Sequence, residues 1–450
     1  MDPHRLNRLS PSQLQTYQSK AFNQILRYAE TVPLYKEKFS HAGISTHKIQ
    51  GITDIRKIPF TSKDDLRHHF PDNLLPKHQH KEHSFVVGTG GTTGEPVSIY
   101  TDFPTMLRGT APALRELKHF GLHWKKSRIV HLGNFNEYRI DSVFRDNMIK
   151  HMQSFTSTEN ILNVDVNEPI TSILQKLDSF KPDLIISYPA IFQHLAYLKR
   201  KGQGAQVKPQ LLQVGGAMLD EYTLNYVEDA FNCPLLNIYP SVEAQANIAF
   251  ECTEHTWHIH ADFFYVEAID EQQQLVEPGQ RGHIVLTRLW GKGTPIIRYT
   301  GMHDWITLSD TIQRCSCGLC TPAFATPIEG RMRANIILPN GKVFPPGAFC
   351  FIAPVLHKFK TYKIQRYQII QKTMDHIEIL LVIDEELRNK GPSVETIAKE
   401  LIKVYQNKTG PEVTITVKEV QKIPKDPRSG KPAPIVVSHV NQKKALESLE

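Results

Sequence analysis

The chain has 450 residues, with 53 basic and 46 acidic side chains and a formal net charge of +7. A content of 40% hydrophobic and 22% charged residues is globular and excludes a collagen-like, low-complexity or wholly disordered chain. The length suggests roughly two to four domains, and so thin a basic surplus, spread along the chain, argues against nucleic acid as a partner.

No segment approaches the roughly 18–20 uninterrupted apolar residues of a membrane-spanning helix, so no membrane partner is expected. Met1-Asp2-Pro3-His4-Arg5 is followed by no apolar run, so no signal peptide and a cytoplasmic location are expected. Spacing of Leu14, Tyr17, Ala21, Ile25, Tyr28 and Ala29 predicts a helix over 12–40, broken at Pro33. Thr61-Ser62-Lys63-Asp64-Asp65-Leu66 offers hydroxyl caps and acidic residues at a second helix start. Residues 85–87 and 97–100 read as strands, as do 127–132, 184–187 and 211–214, with a helical stretch over 141–152. This alternation predicts an α/β core with parallel strands. The run Lys199-Arg200-Lys201 reads as a solvated loop or helix end.

Residues 262–310 read as a mostly antiparallel β section. Pro339 and Pro345-Pro346-Gly347 mark a linker. Beyond it, strands at 367–371 and 377–383, a helix over 394–406 and a strand over 413–420 form a β-α-β unit. The expected fold class is therefore α/β: a large multi-layer N-terminal region with a β section, and a small mobile α+β C-terminal domain. The expected boundaries are 1–338, with 1–75 a helical lead-in, and 339–450.

The strongest local signal is Gly88-Thr89-Gly90-Gly91-Thr92-Thr93-Gly94-Glu95-Pro96, with four glycines and three threonines between two strands. Glycine lets the backbone approach a bulky anion and aim N–H groups at it, and threonine hydroxyls add uncharged donors. The spacing is not that of a Walker loop; the alternative is a flexible hairpin turn.

That loop resembles the Ser/Thr-Gly-Thr-Thr-Gly-Lys-Pro loop of adenylate-forming enzymes: acyl-CoA synthetases, peptide-synthetase adenylation domains and their relatives. Further matches follow in order. Tyr239-Pro240-Ser241-Val242-Glu243 resembles the aromatic-Gly-x-Ser/Thr-Glu motif, and 279–287 the Gly-x-x-Gly-Glu-Leu segment. Pro295-Ile296-Ile297-Arg298-Tyr299-Thr300-Gly301-Met302-His303-Asp304 resembles Arg-Tyr-x-Thr-Gly-Asp with an insertion. Gly330-Arg331 resembles the start of the interdomain hinge, and Ser429-Gly430-Lys431 the C-terminal lysine motif. Residues 25–35 and 58–67 are similar to the opening of phenylacetate–CoA ligases, shared with capsular-polysaccharide and deazaflavin-adenylating relatives.

The resemblance implies roles. Thr89, Gly90, Gly91, Thr92, Thr93 and Gly94 would hold the β- and γ-phosphates of ATP. Gly215, Gly216 and Ala217 would lie near the nucleotide, and Tyr239, with Pro240 beside it, would stack on adenine. Glu243 would hold Mg2+, Asp304 the ribose hydroxyls, and Arg331 the ribose–phosphate end. Asp304 is the better ribose candidate over Asp310. Lys431 would reach the α-phosphate and the carboxylate. The partners implied are a small carboxylic acid, aryl or arylacetic, with ATP and coenzyme A; a homodimer is compatible. The loop lysine of many relatives is Glu95 here, Val242 replaces a hydroxyl residue, and Met332-Arg333-Ala334 stands where the hinge aspartate would be. Two other readings stay open: a non-CoA amine or hydroxyl acceptor, deazaflavin adenylation included, and a nucleotide-binding scaffold without catalysis.

Three of the six cysteines fall within 315–320, which argues against a disulfide framework. Cys315 and Cys317, with Cys252 and His258 upstream, make a Cys/His set suited to a structural zinc ion. Cys320 and His260 are alternative ligands, and Cys233 and Cys350 read as plain buried cysteines. Phe135 and Tyr138, after a strand end, suit an aryl acid pocket or the core.

Overall fold

Ser10 and Gln13 form a capping box ahead of Pro11, and so start α1 (Pro11–Ala29), whose buried stripe includes Leu14, Phe22 and Leu26. Pro33 opens α2 (Pro33–His41), and Ser62 with Asp65 caps α3 (Lys63–His69). The computed structural model describes residues 6–77, 83–88, 97–136, 139–153, 157–330, 334–423 and 433–447. The helical lead-in is tied to the segment that carries the Arg-Tyr motif. Tyr28 donates to the Gly293 carbonyl at 2.8 Å, Tyr35 to the Pro295 carbonyl at 2.9 Å, and Thr61 bridges Tyr299.

β1 (Phe85–Gly88) and β2 (Ser98–Thr101) pair antiparallel across the glycine-rich segment. Asp102 caps α4 (Phe103–His119). There follow β3 (Ile129–Gly133), α5 (Ile140–Val143), α6 (Lys150–Gln153), β4 (Ile161–Asp165), α7 (Ile170–Phe180), β5 (Leu184–Ser187) and α8 (Pro189–Arg200). Next come β6 (Leu211–Val214), α9 (Glu221–Phe231), β7 (Leu235–Ser241), β8 (Ala246–Glu251) and β9 (Trp257–Ile259). β10 (Phe264–Ile269), β11 (Arg281–Arg288) and β12 (Trp305–Thr307) form the expected antiparallel section. β13 (Ala323–Phe324) returns to the main sheet.

That sheet has eight strands in the order β13-β9-β8-β7-β6-β5-β3-β4. β4, β3, β5, β6 and β7 run parallel, as the apolar runs of β3, β5 and β6 predict. The antiparallel extension through β8, β9 and β13 is not predicted by the sequence pattern; its strands are short and carry His258 and Glu251.

A two-strand pair, β14 (Ile336–Ile337) with β15 (Val343–Phe344), precedes α10 (Ile352–Phe359). β16 (Ile364–Thr373), β17 (His376–Ile383), α11 (Val394–Thr409), β18 (Thr414–Glu419), β19 (Val436–Ser438) and α12 (Gln442–Glu447) complete the chain. The four-stranded sheet has the order β18-β17-β16-β19, and α11 is the crossover between parallel β17 and β18. The fold is thus a large mixed α/β region with a smaller C-terminal α/β unit.

One apolar core joins the two. It runs from Val130, Ile185 and Leu212 through Phe192 and Tyr226 into Ile364, Ile369 and Leu401. The run 199–201 is therefore not a solvated end. It closes α8, but Lys199 Nζ donates to the Val207 carbonyl at 2.8 Å, and Arg200 lies over Tyr226 and Tyr362. No helix among the described residues is long and apolar enough to cross a membrane.

Candidate functional site

Parallel strands of an open α/β sheet place ligands beyond their carboxyl ends. Beyond β6 the chain passes through Gly215 and Gly216, with Gly215 N donating to the Ser187 carbonyl at 3.1 Å. Gly216 has φ +72°, and a β-carbon there would sit 3.0 Å from the Tyr188 ring. A β-carbon on Gly215 would sit 3.0 Å from the Ile238 carbonyl and from Pro240 Cδ. The neighbouring strand end presses on this shelf, and glycine is what lets the two backbones meet.

At that strand end, β7 presents two acidic pairs. The Tyr239 hydroxyl donates to Asp304 Oδ2 at 2.6 Å, with Asp304 buried and Asp310 exposed. The structure thus brings together two residues that the motifs separate by more than sixty positions. Glu243 is buried and accepts from the Tyr299 hydroxyl at 2.8 Å on Oε1 and from Ser241 Oγ at 3.0 Å on Oε2. Arg288 donates to the Glu243 carbonyl at 3.2 Å. The hydroxyl lost at Val242 is therefore supplied one position earlier, from Ser241. Tyr299 and Ser241 were not singled out from sequence, although both lie inside the quoted motifs.

Thr89, Gly90, Gly91, Thr92, Thr93, Gly94, Tyr138, Arg331 and Lys431 lie outside the described residues, but the flanks of three of these segments are placed. Gly88 pairs with Ser98 and bridges Arg139, so the threonine-rich loop leaves and returns between β1 and β2. Gly330, which precedes Arg331, accepts from Trp305 N at 3.1 Å, next to Asp304. Phe135 is half-buried at the end of β3, under the Arg145 guanidinium at 4.9 Å and edge-on to His131. An apolar recess of about 40 Å³ lies between β1, α4 and α5, lined by Val87, Met106, Val143 and Phe144, with Gln245 closing it two residues beyond Glu243. A larger open depression, about 470 Å³, borders Arg145 and Asn163 on edge strand β4, four strands away from β7.

The cysteine set converges. The ligand atoms of Cys252, His258, Cys315 and Cys317 all lie within 4.8 Å of one another. Cys252 Sγ and Cys315 Sγ are 3.8 Å apart, the edge expected of a tetrahedron with metal–sulfur bonds of about 2.3 Å. His258 Nδ1 is held by the Thr321 hydroxyl at 2.9 Å, which leaves Nε2 3.3 Å from Cys317 Sγ. Burial, aided by His119, pushes the His258 imidazole down to about 4, so it is neutral at pH 7 and able to ligate. These residues fit a structural zinc ion that would pin the β8–β9 turn to the 315–320 turn.

The alternative ligands do not join the group. His260 is fully buried and faces Arg115 at 2.8 Å and Glu116 at 3.0 Å. Cys320 instead makes a backbone bridge to Arg314. Cys233 and Cys350 are half-buried rather than fully buried. Purified protein is expected to carry about one equivalent of zinc, and Cys317→Ser to lose most of it and melt at a lower temperature. Elemental analysis with thermal melts checks this; wild-type protein with well under one equivalent would remove the assignment.

With this geometry in place, the comparisons can be stated. Residues 349–438 match the family described as the CapK C-terminal domain. A phenylacetate-coenzyme A ligase of Thermus thermophilus is 25% identical over 394 residues, covering 84% of each chain. Among solved structures, 2-hydroxyisobutyryl-CoA ligase in its postadenylation state superposes with TM-score 0.79 at 18% identity, covering 99% of this chain and 93% of that one. The same ligase in its thioesterification state gives 0.64, covering 99% and 94%. The chain is homologous to phenylacetate–CoA ligase-like members of the adenylate-forming superfamily and has their two-part fold.

Proposed function

We propose that this protein is an AMP-forming ligase that activates a carboxylic acid with ATP and passes the acyl group to coenzyme A. The observation that carries the reading is the pairing of Tyr239 with Asp304 and of Glu243 with Tyr299 at one strand end, on a homologous fold. In the first step a carboxylate oxygen bonds to the α-phosphorus of ATP, the bond to the β-phosphate bridge breaks, and pyrophosphate leaves. The nucleophile is already ionised at neutral pH, so no general base is needed. Two anions must meet, so the barrier is electrostatic.

Each residue then has one task. Asp304, oriented by the Tyr239 hydroxyl, accepts from ribose hydroxyls. Glu243, held on both oxygens, is the carboxylate that would hold magnesium, which supplies charge neutralisation at the phosphates when bound. The loop of Thr89 to Gly94 cradles the β- and γ-phosphates, and Arg331 meets the ribose–phosphate end. Lys431 neutralises charge between the α-phosphate and the carboxylate. In the second step the thiolate sulfur of coenzyme A attacks the acyl carbon, AMP leaves, and the thiol proton goes to solvent.

The acid is aryl or arylacetic in this reading, supported by the phenylacetate-specific names of the relatives and by Phe135. The second reading keeps adenylation but passes the acyl group to an amine or hydroxyl acceptor in place of coenzyme A. Incubation with ATP, magnesium, aryl and arylacetic acids and coenzyme A, followed by mass analysis, tests the choice. Acyl-CoA with stoichiometric AMP is the expected result. Acid-dependent AMP release without thioester would move the assignment to the second reading.

A further inference from the structure

The segment that leaves β3 turns back to lie beside the foot of the threonine-rich loop. Arg139 pairs with Gly88 in a parallel bridge, and their chain neighbours Ile140 and Val87 both line the apolar recess between α5 and β1. The Arg139 backbone is fixed. Its N–H donates to the Asn136 carbonyl at 3.2 Å, and its carbonyl accepts from Ser142 Oγ at 2.8 Å and from Val143 N at 3.0 Å. A cationic side chain is thus rooted beside the residue that opens the loop.

The guanidinium of Arg139 is half-buried, and among the described residues it makes no ion pair and no side-chain hydrogen bond. The next arginine along this segment is already taken: Arg145 donates to both oxygens of Asp146, at 2.9 and 3.1 Å. Asp141, two residues from Arg139, instead accepts from Asn134 N at 2.9 Å. Tyr188 follows β5, and its ring is what a β-carbon on Gly216 would meet. Burial pushes the Tyr188 phenol up, the Asp141 carboxylate adds to this, and the Arg139 charge opposes it. Arg139 therefore acts within electrostatic reach of the glycine shelf as well as standing at the loop.

The loop itself has no such charge. From Ser84 to Asp102 the sequence holds no Lys or Arg, and Glu95 adds an anion. Backbone N–H groups and hydroxyls orient phosphate oxygens but do not offset their full charge. A guanidinium adds a planar fork that matches two phosphate oxygens.

We infer that Arg139 is the cation that serves this loop: it binds the β- and γ-phosphates of ATP and, once the bond to the α-phosphorus has broken, the pyrophosphate that leaves. The inference rests on the proposed function for the identity of the nucleotide, though not for the placement of the arginine.

Calorimetric titration of ATP, pyrophosphate and AMP into the full-length protein tests it, because AMP lacks the groups that Arg139 meets. Arg139→Gln is expected to weaken ATP and pyrophosphate about tenfold each, with AMP held within about twofold. Arg139→Lys is expected to keep most of the ATP affinity. Adding Glu95→Gln to Arg139→Gln is expected to restore part of the loss, because one repulsive charge is gone. If Arg139→Gln does not fold, Arg139→Met, which keeps the length of the stem without the charge, is read against the same expectations.

ATP affinity unchanged in Arg139→Gln, or ATP and AMP weakened alike, would overturn the assignment. Wild-type protein that binds ATP but activates no acid overturns the proposed function alone, and the comparison of ATP with AMP still decides Arg139. Wild-type protein that binds no ATP would overturn both.

Discussion

Lys431→Ala is expected to lower acid-dependent exchange of pyrophosphate into ATP by about 10²–10³-fold, with ATP affinity changed little. The size follows from the chemistry. In the activation step a carboxylate approaches a phosphorus already ringed by anionic oxygens, and a preorganised cation is worth most where charge accumulates in a dry site. ATP affinity is expected to change little because the threonine-rich loop, Glu243 and Asp304 would address other parts of the nucleotide. Calorimetric titration of ATP beside the exchange assay separates the two quantities. Unchanged exchange in the variant would transfer the role to another cation, of which Lys422 and Lys425 are the sequence neighbours.

Glu243→Gln is the second large effect. The substitution keeps the volume and leaves an oxygen able to accept from Tyr299, while the charge that would hold magnesium is gone. Exchange is expected to fall about 10²-fold, with the magnesium concentration for half-maximal rate displaced upward. Tyr299→Phe removes only the orienting hydroxyl and should cost about tenfold, the scale of one hydrogen bond to a charged group. Magnesium titrations of the exchange rate on all three proteins check this. Equal magnesium dependence in wild type and Glu243→Gln would contradict the assignment.

Much of this was legible in the amino-acid sequence. The parallel strands announced themselves because strands covered on both faces are continuous apolar runs, as at 184–187 and 211–214. Gly215, Gly216, Tyr239 and Glu243 stood out through the resemblance of the ordered motifs to those of adenylate-forming enzymes. The cysteine set was legible from spacing alone, since three thiols within six residues seldom serve a core.

Other features were hidden for physical reasons. The Tyr299–Glu243 bond joins residues 56 positions apart, a distance that no local pattern encodes. Arg115, Glu116 and Asp262 carry no signal in the sequence and His260 reads there as an alternative zinc ligand, yet all four are buried in one hydrogen-bonded group. Burial lifts the Glu116 carboxyl to about 8, so it sits beside His260 largely protonated at neutral pH. The strands β9, β13 and β19 are three, two and three residues long, too short for an alternation to show. Arg200 and Lys201 read as a solvated charge run because nothing in their neighbourhood reveals that Tyr362 and Asp384, far along the chain, come to meet them.

The central claim is that this fold activates a carboxylic acid as its adenylate. The most direct measurement is the exchange of labelled pyrophosphate into ATP, with magnesium and a panel of aryl, arylacetic and short aliphatic acids, in the absence of coenzyme A. The account predicts exchange that depends on one class of acid and vanishes in Lys431→Ala. Label entering ATP with no acid present and none further on adding any, or the same acid-dependent exchange in that variant, would contradict it.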